Sequence, residues 1–125
     1  VKLATLRPNS EDYRAARDYA KKAIQANPDN GTAYMIVGNA YSSVKIFDDP
    51  LKNQMIYWVA ADYFRMAKEK DPELAERVNE YLATVRQLFP KKEDLFFISI
   101  IEEGVPHTVG GWINERTTVR FRNED

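Results

Sequence analysis

Residues 33–41 read AYMIVGNAY, a stretch that is helical by its spacing and yet carries a glycine at its centre. Ala33, Ile36, Val37, Ala40 and Tyr41 fall at i, i+3, i+4, i+7 and i+8, which is one face of a helix. Gly38 then sits in a helix interior, where it costs about 1 kcal/mol relative to alanine. A close approach by another element, possible only where no Cβ intervenes, is the compensation to look for.

Outward from this stretch, four amphipathic segments carry start signals. The first spans about 11–26, after Ser10 as N-cap, with Tyr13, Ala16, Ala20, Ala23 and Ile24 on one face. The second contains the opening stretch and runs on through Val44 to about 46. In the third, Asp49 is placed to cap and Pro50 suits the first turn, with Ile56, Val59, Ala60, Tyr63, Phe64 and Ala67 at helical spacing as far as Lys70. Asp71 caps the fourth, Pro72 opens it, and its face is Leu74, Val78, Tyr81, Leu82, Val85 and Phe89. The breaks NPDNG and FPKK are short, so neighbouring helices are expected to pack antiparallel.

The same chemistry returns in register. Alanines at 16, 20 and 23 precede Pro28, while Ala60, Phe64, Ala67 and Pro72 repeat those separations. Just after Pro28 come Tyr34, Val37, Gly38 and Tyr41. An aromatic, two residues, an aliphatic, glycine, two residues and an aromatic, followed later by A-x3-F-x2-A-x4-P, form the tetratricopeptide signature. Over about residues 11–89 the chain therefore resembles a tetratricopeptide repeat protein. The resemblance implies a mainly α fold, an α-solenoid of antiparallel helical hairpins. It also implies that Gly38 faces Ala60 or Phe64.

Three departures from the family stand out. Pro28 and Pro72 lie 44 positions apart, against a family period of about 34. The excess falls between Tyr41 and Ala60, which reads as two lengthened helices. The first repeat supplies only its second helix, its partner reduced to the remnant VKLATL, and Leu82 stands where the third repeat calls for a small residue.

The remaining residues fit no repeat. PKKEDLFFISIIEEG reads as a short helix with Leu95, Phe96, Ile98 and Ile101 apolar and Gly104 as its stop. Beyond it the period changes to two: Thr117, Val119 and Phe121 alternate with Thr118 and Arg120. Strands over about 106–109 and 117–121, joined through GGWINE, make a hairpin too small to stand alone. Val109, Ile113, Val119 and Phe121 give it one apolar face, and the expectation is a cap over Leu88, Phe89 and Phe96 at the end of the last helix. The division is thus 1–104, helical repeats, and 105–125, hairpin tail. This ending is also similar to that of long tetratricopeptide proteins of Bacteroidetes, which implies a bacterial source and a parent that is exported. Cytoplasm and cell envelope both stay open as compartments.

Composition bounds the chemistry. A chain of 125 residues with 44% apolar and 30% charged residues is one globular domain. A formal charge of −1 gives no net attraction for nucleic acid, and no run is long and apolar enough to span a membrane. With no cysteine, disulfides, thiolate metal sites and cysteine nucleophiles are excluded. The chain opens on Val1 without a signal-peptide pattern and reads as a piece of a longer protein.

His107 is the only histidine, so neither a histidine metal site nor a catalytic triad is readily built, and a structural residue at a strand edge is the better reading. Asp48-Asp49 and Glu102-Glu103 read as caps and solvated charge, and Gly110-Gly111 as a turn. Trp58 flanks an apolar face and reads as core. Trp112, in a glycine loop, leaves two readings open, a cap anchor or an exposed contact. Asn39 follows Gly38 as the asparagine does in family members that clamp a peptide carboxylate, but Met35, Ser42 and Ser43 stand where the clamp requires basic residues.

No enzyme, cofactor or metal is expected. The expected function is a protein or peptide scaffold whose first helices line a concave surface, with Met35, Asn39 and Ser42 from one helix and Asn79, Arg86 and Gln87 from the next. The alternative is a structural or self-associating segment of a larger repeat protein.

Overall fold

The computed structural model describes residues 10–122. Its helices are α1 (Ser10–Ala26), α2 (Gly31–Ser42), α3 (Pro50–Lys70), α4 (Ala75–Arg86) and α5 (Lys92–Phe96). Strands β1 (Pro106–Val109) and β2 (Glu115–Thr118) form a two-stranded antiparallel sheet. The protein is therefore mainly helical with a small hairpin, as the sequence leads one to expect. The remnant VKLATL and the capping side chain of Ser10 lie outside the described residues.

Side-chain caps set three of the starts. Asn30 accepts the Ala33 N–H at 3.1 Å and opens α2. Asp49 accepts the Leu51 N–H at 2.9 Å, with Pro50 as the first residue of α3. Asp71 accepts from Glu73 at 3.1 Å, but this cap starts a 3-10 turn, Pro72–Leu74, that leads into α4. Each satisfies an amide that the helix itself cannot.

Successive helices run antiparallel. The start of α2 meets the end of α3, since a Cβ on Gly31 would lie 2.6 Å from the Asp71 Cβ and 2.7 Å from the Ala67 carbonyl oxygen. Midway along, a Cβ on Gly38 would lie 2.8 Å from two Phe64 ring carbons. The glycine in the opening stretch is thus explained: the Phe64 ring occupies the space a side chain would need. Val37, Tyr41, Ile56, Trp58, Phe64, Val78 and Leu82 fill the core around this crossing.

α2 buries the face its spacing implied at Ala33, Val37, Ala40 and Tyr41, and Tyr34 and Gly38 are buried beside it, whereas Ile36 is 42% exposed. Sandwiched between α1 and α3, the helix needs its small and aromatic residues inside. It also stops at Ser42, not near 46. The Ser42 and Ser43 hydroxyls donate back to the Asn39 carbonyl at 3.0 and 2.8 Å, and such local bonds compete with helix propagation. Past that point, Asn53 organises the connection, taking the Ile46 and Phe47 N–H groups on its Oδ1 and donating to the Phe47 carbonyl. The excess over the family period therefore lies in this loop and in the 21 residues of α3, not in α2.

α4 ends at Arg86, ahead of Phe89, and α5 ends at Phe96. Its stop is Ser99 in a left-handed conformation at φ 68°, with the Ile100 N–H bonded to the Leu95 carbonyl and the Ser99 N–H to that of Phe96. Gly104, expected to be that stop, serves the hairpin instead. At φ 85° it donates to the Val119 carbonyl while the Val119 N–H donates to that of Val105, so two residues oppose one in a glycine bulge.

The hairpin also lies elsewhere than expected. β2 spans 115–118 and not 117–121, although the alternation holds: Val109, Thr117 and Val119 are buried, Thr108 and Thr118 exposed. It packs on α3 and reaches across to α1, and Val109, Ile113 and Val119 join the same core as the helices. Leu88 and Phe96 stay 39% and 66% exposed. Only Phe89 is covered, with the Arg120 guanidinium 5.5 Å from its ring and Arg122 Nε bonded to its carbonyl. The physical reason is polar: the inner face carries Glu115 and Thr117 as well as its aliphatics. Those groups need bonding partners, which α2 and α3 supply.

Candidate docking groove

α2, α3 and α4 enclose a groove whose walls follow from their spacing. Asn39 and Ser42 come from α2, Tyr57 and Phe64 from α3, and Tyr81, Thr84 and Val85 from α4, with Leu88 just beyond it. Tyr81, Thr84 and Leu88 lie at i, i+3 and i+7, so a single stripe of the helix and its exit faces the groove. The Tyr81 ring rests 5.3 Å from Phe64, the residue that packs on Gly38. The groove holds about 130 Å³ and continues past Tyr57 and Leu88 into a depression of about 300 Å³ bordered by Val44, Lys45, Pro50 and Gln54.

Its chemistry is aromatic and uncharged, with Lys45 as the charged group at one end. The Asn39 side-chain amide has no hydrogen-bond partner among the described residues, although its backbone carbonyl takes both serine hydroxyls. Aromatic surface beside an unspent amide suits contact with a polypeptide, where rigid rings supply area and the amide supplies direction. Among the described residues no cluster of histidine and carboxylate side chains is placed to hold a metal ion, and no helix is long and apolar enough to cross a membrane.

Of the residues expected to line the surface, Asn39 and Ser42 do so. Met35 is half-buried against the core. Asn79 is exposed and accepts a hydrogen bond from Lys68 at 2.8 Å, outside the groove. Arg86 is exposed on the side of Arg120, whose pKa is lowered by burial first, countered by Asp62, with the Arg65 and Arg86 charges adding to the depression. Gln87 is exposed and does not line the groove. The lining that sequence reasoning missed is Tyr57, Tyr81, Thr84 and Leu88. The i, i+3, i+7 spacing of the last three was the available signal.

The hairpin's hydrogen bonds and ring contacts fall on other residues. Trp112 is its anchor: the Arg17 guanidinium lies 5.0 Å from the indole and donates to the Trp112 carbonyl at 3.1 Å. Glu115 Oε2 accepts from Tyr63 at 2.7 Å and Tyr41 at 2.9 Å and pairs with Lys21 at 2.7 Å. Burial pushes both tyrosines well above their ordinary pKa, and the Glu115 carboxylate adds to the shift. Burial works against the Arg17 charge, but bonds to Tyr41 and Asp18 outweigh it and raise its pKa. Asp62 takes the Thr117 hydroxyl at 2.5 Å and Arg120 at 2.9 Å, while Trp58 Nε1 donates to the Arg120 carbonyl at 2.8 Å. His107 stands edge-on to Trp58 at 5.6 Å, and burial lowers its pKa. All of these are structural partners.

No protein-family model, curated protein or solved structure matches the chain.

Proposed function

We propose that the chain is a tetratricopeptide-type scaffold, part of an α-solenoid, that binds a peptide or protein segment in the groove between α2, α3 and α4 without catalysing a reaction. Support for the repeat comes from the Gly38–Phe64 crossing, which has the small-against-aromatic packing that the signature residues Tyr34, Val37, Gly38, Tyr41, Ala60, Phe64 and Ala67 call for. The observation that carries the binding reading is the exposed Asn39 amide, without a partner among the described residues, in a groove walled by Tyr57 and Tyr81. A bound segment would lay apolar side chains on the rings and present a backbone or side-chain amide to Asn39.

The test is selection of peptides from a displayed random library, followed by NMR mapping on the labelled protein. Shift changes should concentrate on Asn39, Ser42, Tyr57, Tyr81 and Thr84. Tyr81→Ala should weaken binding about tenfold, the scale of a central aromatic contact, with little change in melting temperature. Perturbations that map away from these residues sink the reading.

A further inference from the structure

The hairpin has an open edge, and its register says which groups that edge offers. The Gly104–Val105 bulge makes Val105 and Val119 a hydrogen-bonded pair, so by alternation His107–Thr117 and Val109–Glu115 are the bonded pairs that follow. Thr108 on β1 therefore points its N–H and C=O away from β2, as Pro106 does its C=O and Gly110 its N–H. None of these groups has a partner among the described residues.

Directly beside that edge lies a cleft of about 470 Å³. Phe47, Leu51 and Met55 line it from the α3 side, Ile98 from the chain after α5, and His107 to Gly110 from the hairpin. Ile98 belongs to an apolar run that includes Phe97, 84% exposed, and Ile101, 61% exposed. Two charged side chains border the cleft. Asp49 is committed to the Leu51 N–H, whereas Lys52 is exposed and has no ion pair among the described residues.

We propose that the open edge of β1 is a docking site for an extended peptide, which adds as a third strand beside Thr108, fills the cleft with apolar side chains and sets a carboxylate against Lys52. The edge chooses the occupant: a row of backbone donors and acceptors at strand spacing is met by another strand and not by a helix. Side-chain alternation sets its sequence. The peptide residue bonded to Thr108 turns outward with it, and the two flanking residues turn toward Leu51 and Met55, giving an apolar–polar–apolar core. The site is separate from the α2–α4 groove and stands or falls without it.

The probe is a fluorescein-labelled hexapeptide of alternating valine and threonine with a terminal glutamate, titrated by fluorescence anisotropy. Its control is the same peptide N-methylated at the central threonine. Saturable binding is expected, weakened about tenfold by N-methylation, the scale of one backbone hydrogen bond. Thr108→Pro should weaken it similarly. Proline is tolerated on an edge strand at a position that bonds outward, and the methylated peptide tests the same bond on the unaltered protein. Lys52→Glu should weaken binding further, and Asn39→Ala should leave it unchanged. Three results would overturn the proposal: no saturable binding at millimolar peptide, equal affinity for the methylated peptide, or equal affinity for a helical peptide of like composition. Self-association that Thr108→Pro abolishes, without peptide binding, would reassign the edge to a second copy. Retention on phosphatidylcholine vesicles, again without peptide binding, would reassign the apolar run to a lipid surface.

Discussion

The α2–α3 crossing and the seat of the hairpin both use α3, and they hold their partners by different means. At the crossing, Gly38 lies flat against the Phe64 ring, Gly31 against the Ala67 carbonyl, and the contact is shape alone. At the seat, Val109, Ile113 and Val119 are buried among bonds that run from Glu115 to Tyr41, Tyr63 and Lys21, and from Asp62 to Thr117 and Arg120. A shape contact tolerates no added atom. A polar seat tolerates small changes of volume but no missing partner, because a buried donor without an acceptor costs about 1–3 kcal/mol.

Removing the hairpin altogether should have the largest effect. Truncation after Gly104 uncovers α3, including Trp58, at about 1.5–3 kcal/mol for each large apolar side chain returned to water. The expected outcome is a sharp fall in melting temperature with aggregation on heating. A truncated chain as stable and monomeric as the parent would show the seat to be ornamental.

Within the seat, Glu115→Ala leaves the Tyr41 and Tyr63 hydroxyls and Lys21 without their acceptor and should cost about 2–3 kcal/mol in urea unfolding. Adding Tyr63→Phe should recover part of that loss. If the double variant is no more stable than Glu115→Ala, the hydroxyl is satisfied by water and the seat depends less on polar pairing than its geometry implies.

At the crossing, Gly38→Leu should cost about 2 kcal/mol by overpacking, and the loss should be insensitive to salt, unlike that at Glu115. Gly38→Ala combined with Phe64→Leu should fare better than Gly38→Ala alone. An unchanged melting temperature for Gly38→Leu would break the comparison at its shape-dependent end.

The smallest effect is a pH dependence at the seat. Burial against Trp58 lowers the His107 pKa below its ordinary value of 6.5, so the unfolded chain binds the proton more readily than the folded one. The neutral ring is accommodated fully above about pH 6.5, and stability is lost as the pH falls from there through the folded pKa. His107 being the only histidine, His107→Phe should flatten the melting temperature between pH 7 and pH 5.5. A slope that survives the substitution would have to come from carboxylates.

The crossing is legible in the amino-acid sequence because its signals are local. A glycine inside a helical period, the spacing of Ala60, Phe64 and Ala67, and the caps at Asp49 and Asp71 all act within a few residues of chain. The alternation of Thr117, Thr118 and Val119 is legible for the same reason. Half of the groove is not, since Asn39 and Ser42 are joined by a stripe of α4 while Asn79, Arg86 and Gln87 lie outside it.

By itself, the sequence determined the helices, their antiparallel order and the hairpin, because hydrogen bonding and side-chain periodicity are satisfied over short stretches of chain. Only the tertiary structure decided where α2 ends, that Ile36 stays outside while Tyr34 goes inside, and where the hairpin sits. Those outcomes depend on what distant groups offer one another. Glu115 has its acceptor oxygen filled by residues 74, 52 and 94 positions away in sequence, and no local pattern encodes a bond whose two ends meet only after the chain has folded.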